Sequence, residues 1–331
     1  MHKRNANWWT EMKDTLYVVI PCYNEQEVLG ETTKRLTEKI KLLIKKEIIT
    51  KDSRILYVDD GSRDDTWKLI SDLYEQNELV TGLKLSRNRG HQNALLAGLF
   101  EASEHADMVV SMDADLQDDI DVLDQFIEEY YKGSQIVYGV RKSRKTDSIF
   151  KRSTALAFYK LMHALGVEIV YNHADYRLMS RRAVEELKNY KEVNLFLRGI
   201  IPLIGFKTAT VEYDRGKRFA GESKYPLRKM IYFAIDGITS TSVRPIRMIT
   251  MFGLFSILFS VIYAIYVIIG HINGATIQGW TTSVLLICFF GGAQVMCTGF
   301  VGEYVGKIYL ETKARPRYVI EEKVGEFGDD K

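Results

Sequence analysis

Within the first 115 residues a short apolar run recurs four times, and each early run is followed by a segment of helical period. The runs are Leu16–Ile20 (LYVVI), Arg54–Val58 (RILYV), Val80–Leu85 (VTGLKL) and Met108–Met112 (MVVSM). Runs of this length, rich in Val, Ile and Leu, read as buried strands. The segments between them, reaching to about Lys46, then from about Asp65 to Gln76 and from about Asn93 to Ser103, read as helices. Parallel strands need crossover helices, so the alternation predicts an α/β fold with a doubly wound, mainly parallel sheet and flanking helices.

The ends of the runs carry the chemistry. Each stops in polar or glycine-rich residues: Pro21, Cys22, Tyr23, Asn24 and Glu25 after the first, Asp59, Asp60, Gly61 and Ser62 after the second, Ser86 to His91 after the third, and Asp113 to Gln117 after the fourth. Open α/β sheets bind ligands at the carboxyl ends of their strands, so Tyr23, Asp59, Asp60, Asn88 and the aspartate pair share one edge. One site there could hold a nucleotide, with Tyr23 against the base and Asp59 or Asp60 on base or ribose. Singly, each has a structural reading: DDGS opens helices in many proteins, and Tyr23 could simply pack. Asp113 and Asp115, two apart where the chain turns, can reach one divalent cation, with Gln117 as a neutral third oxygen ligand. Hard oxygen donors suit Mg²⁺ or Mn²⁺, which keep waters and share substrate phosphates. The competing reading is an acidic loop opening a helix at Asp118.

A net charge of +2 on 331 residues points to neither nucleic acid nor an acidic partner. Cys22, Cys288 and Cys297 give no disulfide framework and no zinc spacing, which suits a reduced, cytosol-facing catalytic part. His2 to Asp14 is polar and lacks the apolar centre of a signal peptide. Membrane attachment is expected instead from Met248–Gly270, about 23 residues without a charge, and Thr281–Gly302, joined by an uncharged loop. Arg244 and Arg247 before the first span, and Lys307, Lys313, Arg315 and Arg317 after the second, predict a hairpin with both termini cytosolic. Between the catalytic part and the hairpin, Pro226 to Ile246 alternates basic with aromatic or aliphatic residues, as amphipathic interface helices do. The organisation expected is a catalytic domain over 1–222, a juxtamembrane segment over 223–247, a transmembrane hairpin over 248–306 and a mobile cytosolic tail over 307–331.

CYNE after the first strand, VDDGSRDDT after the second, SRNRGHQNALLAGL after the third and MDADLQDD after the fourth resemble the family 2 glycosyltransferases of GT-A fold. The branch resembled is the polyprenyl-phosphate glycosyltransferases, which include dolichyl-phosphate mannose synthase and the bactoprenol glucosyltransferases. The resemblance extends over nearly the whole chain. It implies nucleotide contacts from Pro21, Tyr23, Glu25, Asp59, Asp60, Asn88, Asp113 and Ala114, and a cation on Asp113, Asp115 and Gln117. It also places Asp175 and Arg177, within HADYRLMS, beside donor sugar and acceptor phosphate; the plainer alternative is an ion pair at a strand start. In DRGKRFAGESKY the residues Arg218, Gly221, Ser223 and Lys224 match a segment that covers the family's active site, with Arg215 an added candidate. Arg141 and Arg144 open a basic loop after the strand Gln135–Val140; such runs often face solvent, but this one, at the same sheet edge, suits phosphate.

The implied reaction is metal-assisted, inverting transfer of one sugar from a nucleotide sugar, with a UDP-sugar favoured and glucose or N-acetylglucosamine as candidates, to polyprenyl (undecaprenyl) phosphate at the cytosolic face of the cytoplasmic membrane. The acceptor is already anionic, so no strong base is required. Metal on Asp115 and Gln117 would stabilise the departing diphosphate, and positioning and charge compensation by Arg141, Arg144, Arg177, Arg218 and Lys224 would supply most of the catalysis. No Q-x-x-R-W, the signature of polysaccharide-elongating relatives, occurs. A homotetramer, a flippase and a downstream membrane glycosyltransferase are compatible partners. Two other classes remain: a hydroxyl-directed membrane glycosyltransferase, and a non-catalytic adaptor for a flippase or transferase.

Overall fold

The computed structural model describes residues 13–141, 173–193, 196–214, 216, 244–273 and 279–325. Arg144, Arg215, Arg218, Ser223 and Lys224 lie outside the described residues, as does most of the interface segment.

The four predicted strands form β1 (Leu16–Cys22), β2 (Arg54–Asp59), β3 (Val80–Leu85) and β4 (Met108–Ser111), mutually parallel in the order β4-β1-β2-β3. The chain winds outward from β1 to β3, then crosses back to lay β4 on the other side of β1. The topological switch point therefore falls between β1 and β4, where ligands enter such sheets. Pro21 sits in the central strand β1 yet lies beyond the last β1–β4 pair, Val19 with Ser111, so its missing N–H weakens no ladder on that side.

Three helices connect these strands: α1 (Leu29–Lys45), α2 (Thr66–Gln76) and α3 (His91–His105). Alternation along β1 divides the core between the two faces. Leu16, Val18 and Ile20 pack with Leu29, Leu36, Ile40 and Leu43 of α1, and Tyr17 and Val19 with Leu95, Leu96 and Leu99 of α3. Each fully buried leucine or isoleucine contributes roughly 1.5–3 kcal/mol. Lys39 interrupts the α1 stripe, and its ammonium meets Asp121 at 2.9 Å and Asp124 at 2.8 Å, tying α1 to the segment after β4.

Beyond β4, α4 (Leu123–Tyr131) leads to β5 (Ile136–Arg141), and β6 (His173–Ser180) lies between β4 and β5, antiparallel to both. Two short helices, α5 (Arg181–Leu187) and α6 (Leu197–Leu203), precede β7 (Thr208–Tyr213), which pairs in parallel with β5. The reversed β6 matters to the site. Because Arg177 pairs with Ser111, the residues at the start of β6 arrive at the carboxyl end of β4.

The described residues form two compact units, and residues 244–273 and 279–315 make up the second. It contains α7 (Arg244–Ile272) and α8 (Trp280–Lys313). Among the described residues one stretch, Ile246–Gly270, is long and apolar enough to be a candidate membrane span, with a mean hydropathy of 2.5. Its large side chains are not covered by protein: Leu254 and Phe255 are each 69% exposed.

The chain beyond α8 departs from the expected mobile tail. Ile320–Val324 is a strand, β8, antiparallel to β3, and residues 316–325 belong to the first unit. The pattern IEEKV is too polar to announce a strand, but an edge strand covered on one side needs only backbone donors and acceptors with charged side chains facing water.

Candidate active site

The strand ends converge as the alternation predicts, and a web of side chain to backbone bonds fixes the loops. Asn24 takes the left-handed conformation (φ 55°), its Oδ1 accepts from the Arg63 N–H at 2.9 Å, and its own N–H donates to Ser62 Oγ at 3.0 Å. The loop after β1 is thus sewn to the loop after β2. Tyr23 between them is 41% exposed, which leaves its ring available to a ligand.

Asp59 and Asp60 are both buried. Asp59 accepts from the Ser62 N–H, and Asp60 from the N–H groups of Arg89 at 2.6 Å and Gly90 at 2.8 Å. Burial pushes both carboxyls above their ordinary range, against the pull of these donors. Asp60 is therefore a clamp on the β3–α3 loop. Gly61 is required between the two loops: its φ is +67°, and a Cβ there would lie 2.6 Å from the backbone of Arg87 and Asn88. Asn88 itself is exposed, and Pro21 is buried.

The turn after β4 is also strained, with Leu116 at φ 56°. Asp115 Oδ1 accepts from the Gln117 N–H at 3.2 Å, and Thr32 of α1 donates to the Ala114 carbonyl at 2.9 Å, so α1 holds the turn from beneath. Asp113 is 35% exposed and lies 3.2 Å from Nε2 of His91, the first residue of α3. Crowding by neighbouring atoms opposes its charge, but the His91 contact outweighs this and holds the carboxyl below its ordinary range; the same contact raises His91 against its own desolvation. Two carboxylates and an amide oxygen on one tight turn make a hard-oxygen set of the kind Mg²⁺ or Mn²⁺ prefers. Among the described residues no three His, Cys, Asp or Glu side chains form a metal cage, so further ligands would have to be water or phosphate oxygens.

Asp175 lies close to this turn through its neighbours. Its carboxylate accepts from Arg177 Nη2 at 2.7 Å, from Arg198 Nη2 at 2.8 Å and from Arg198 Nε at 3.2 Å. Burial opposes ionisation, yet Arg198 and Arg177 hold the carboxyl far below the usual range. Asp175 is consequently a fixed anion and unsuited to proton abstraction near neutrality. Arg177 is fully buried, its Nε and Nη1 have no partner among the described residues, and burial lowers its pKa. The ion pair at a strand start is thus present, and Arg198, at the first turn of α6, is its more exposed member.

Four residues of this constellation have roles that are not evident in the sequence. Arg198 is a lone charge in the apolar run FLRGIIPLIG, a signal worth heeding because isolated charges seldom enter apolar segments unpaired. His91 and Gln92 stand in the RGHQNA motif; Gln92 Oε1 accepts the Leu197 N–H at 2.8 Å and anchors the start of α6. Asp118 is buried, receives the Tyr213 hydroxyl proton at 2.5 Å and has Arg141 Nη2 at 3.7 Å. Desolvation, helped by Asp113, pushes its carboxyl up to about 6. Arg141 thus stands at the expected sheet edge. Just past β7, the Gly216 N–H donates to the Gln117 carbonyl at 2.9 Å, so the chain entering the cationic segment begins on the metal-type turn. A cleft of about 550 Å³ between α1 and Leu116–Asp121 shares only Gln117 with the expected metal ligands.

Residues 17–188, more than half of the chain, match the family described as glycosyl transferase family 2. The chain belongs to that family. An uncharacterised glycosyltransferase of Bacillus subtilis (strain 168), YkoT, is 53% identical over 311 residues, spanning 94% of this glycosyltransferase and 92% of the relative. The bactoprenol glucosyl transferase of Shigella phage SfX is 39% identical over 308 residues, spanning 92% and 98%. Among solved structures, mannosyl-3-phosphoglycerate synthase from Rubrobacter xylanophilus superposes with a TM-score of 0.47 at 16% identity, covering 71% of this chain and 74% of that one. That last likeness speaks to neither substrate nor cofactor. The family 2 match contains the Asp113 turn, Asp175 and Arg177 of this glycosyltransferase, whereas Arg198, Tyr213 and β8 lie beyond it.

Proposed function

We propose that this family 2 glycosyltransferase moves a single sugar from a nucleotide sugar to a polyprenyl phosphate at the cytosolic face of the cytoplasmic membrane, with a UDP-sugar, UDP-glucose or UDP-N-acetylglucosamine, as donor. The observation that carries the reading is Asp175, a carboxylate paired with two guanidiniums and so unsuited to act as the base that a hydroxyl acceptor would require. A phosphate acceptor arrives already ionised, so the site has only to bring two phosphate groups together and offset their repulsion. The 39% identity to a bactoprenol glucosyl transferase over nearly the full length of both chains supports the same acceptor.

Each residue then has a task in the proposed reaction. Tyr23 meets the base, and the loops held by Asp59, Asp60 and Asn24 shape the nucleotide pocket. Asp113, Asp115 and Gln117 would hold Mg²⁺ or Mn²⁺, which when bound neutralises charge developing on the departing nucleoside diphosphate. Arg141, Arg198 and the cationic segment containing Arg218, Ser223 and Lys224 draw the acceptor phosphate in. Asp175 fixes the arginines, so their positions are set before substrate arrives. In-line attack on an α-linked donor inverts the anomeric carbon and yields a β-linked lipid product.

The uncovered apolar side chains of Ile246–Gly270 in α7 need lipid or protein around them, which supports an acceptor held in a membrane. Purified protein in detergent with undecaprenyl phosphate, Mn²⁺ and a panel of UDP- and GDP-sugars tests the reading. One donor should give a lipid-linked monosaccharide, and Asp115→Ala should reduce the rate by about 100-fold or more. No product from any donor, despite metal-dependent UDP binding, would refute the acceptor; absence of UDP binding would favour the adaptor.

A further inference from the structure

We infer that the C-terminal segment, residues 316–325, supplies positioning residues for the nucleotide site, although it follows both long helices and lies outside the family-matched residues. The inference rests on the nucleotide-binding half of the reading above. The segment pairs antiparallel along β3, with Val324 opposite Gly82 and Ile320 opposite Leu85, and a register shift between Lys84 and Leu85. Just past that shift it engages the loop that follows β3. The Ser86 N–H donates to the Val319 carbonyl at 3.0 Å, and Arg89 Nη2 reaches the Pro316 carbonyl at 3.5 Å.

This is the loop on which the donor edge is built. The N–H groups of Arg89 and Gly90 are the two donors to Asp60, and the Arg87–Asn88 backbone is the surface against which Gly61 closes. A displacement of Ser86–Gly90 would therefore move Asp60, Gly61 and Asn88 together. The segment is itself held at several points. Trp67 Nε1 donates to Glu322 at 3.0 Å, Lys84 faces Glu321 at 3.4 Å, Lys323 pairs with Glu101, and Arg317 donates to the Tyr190 carbonyl. Tyr318 and Ile320 pack on the apolar face shared by α3 and β3. A mobile tail would make none of these contacts. Without β8 the β3 edge would present unpaired backbone groups next to the nucleotide loop, free to fray.

The test uses the full chain in detergent, with UDP and Mn²⁺ as the probe and titration calorimetry as the readout. Deletion of residues 316–331 should weaken UDP binding about tenfold or more, and a synthetic peptide of that sequence added in excess should restore it. Ile320→Asp, which puts a charge where Ile320 packs on the apolar face of α3 and β3 and leaves the rest of the chain intact, should weaken binding in the same direction. Unchanged UDP affinity in both variants, or a loss that the peptide does not reverse, overturns the inference. If the intact chain binds no UDP, the nucleotide reading fails by itself; amide exchange at Ser86, Arg89 and Gly90, faster on deletion or unchanged, then decides whether the segment holds the loop.

Discussion

Replacing Asp175 by Asn removes one charge with almost no change of shape, and the structure sets the size of the effect. Its two partners differ in exposure: the Arg177 side chain is 1% exposed and that of Arg198 34%. Losing the carboxylate leaves the sealed guanidinium of Arg177 without a counter-charge, which costs roughly 3–5 kcal/mol for such buried pairs. Arg198 can turn to water, so Arg198→Ala should cost only about 1 kcal/mol. Asp175→Asn with Arg177→Met should recover most of the loss, since an apolar side chain needs no counter-charge. Urea unfolding followed by near-UV circular dichroism, on full-length protein in detergent, measures wild type and all three variants. The pH dependence has a definite sign. A carboxyl held below its ordinary value stabilises the fold above the unfolded-state pKa of about 3.9 and loses that contribution as pH falls through the lower folded value. The gap between wild type and Asp175→Asn should therefore begin to close as pH falls below about 4. Equal costs for Asp175→Asn and Arg198→Ala, or no recovery in the double variant, would refute the argument that the buried Arg177 charge dominates.

Gly61→Ala should cost about 1–2 kcal/mol for the left-handed backbone alone, and more for displacing Arg87 and Asn88 from a Cβ at 2.6 Å. It should weaken UDP binding along with thermal stability; a variant as stable as wild type would show that the loop yields freely. Asp113→Asn should abolish the Mn²⁺ dependence of UDP binding and lower the His91 pKa, since Asp113 is what raises it. Calorimetry with and without Mn²⁺ checks the first effect, and an NMR titration of the imidazole the second. An unmoved His91 pKa would mean that the 3.2 Å contact is not made in solution.

Local sequence determined the parallel half of this molecule. Strand, helix and turn signals lie within a few residues of one another, so LYVVI, RILYV, VTGLKL and MVVSM declared β1 to β4 and their polar ends declared the edge. The DADLQ turn and DDGS were legible for the same reason, because their backbone demands are written in adjacent residues. Tertiary structure alone decided what depends on partners far away in the chain. HADYRLMS reads as a strand, but only the ladder with β4 and β5 fixes its direction, and that direction carries Asp175 to the site. Arg198 acquires its role through α6, held by Gln92 more than a hundred residues earlier, and Asp118 through Tyr213 of β7. The polar stretch IEEKV becomes a strand because β3 offers an open edge, and an edge strand is specified by the donors and acceptors of its neighbour more than by its own side chains.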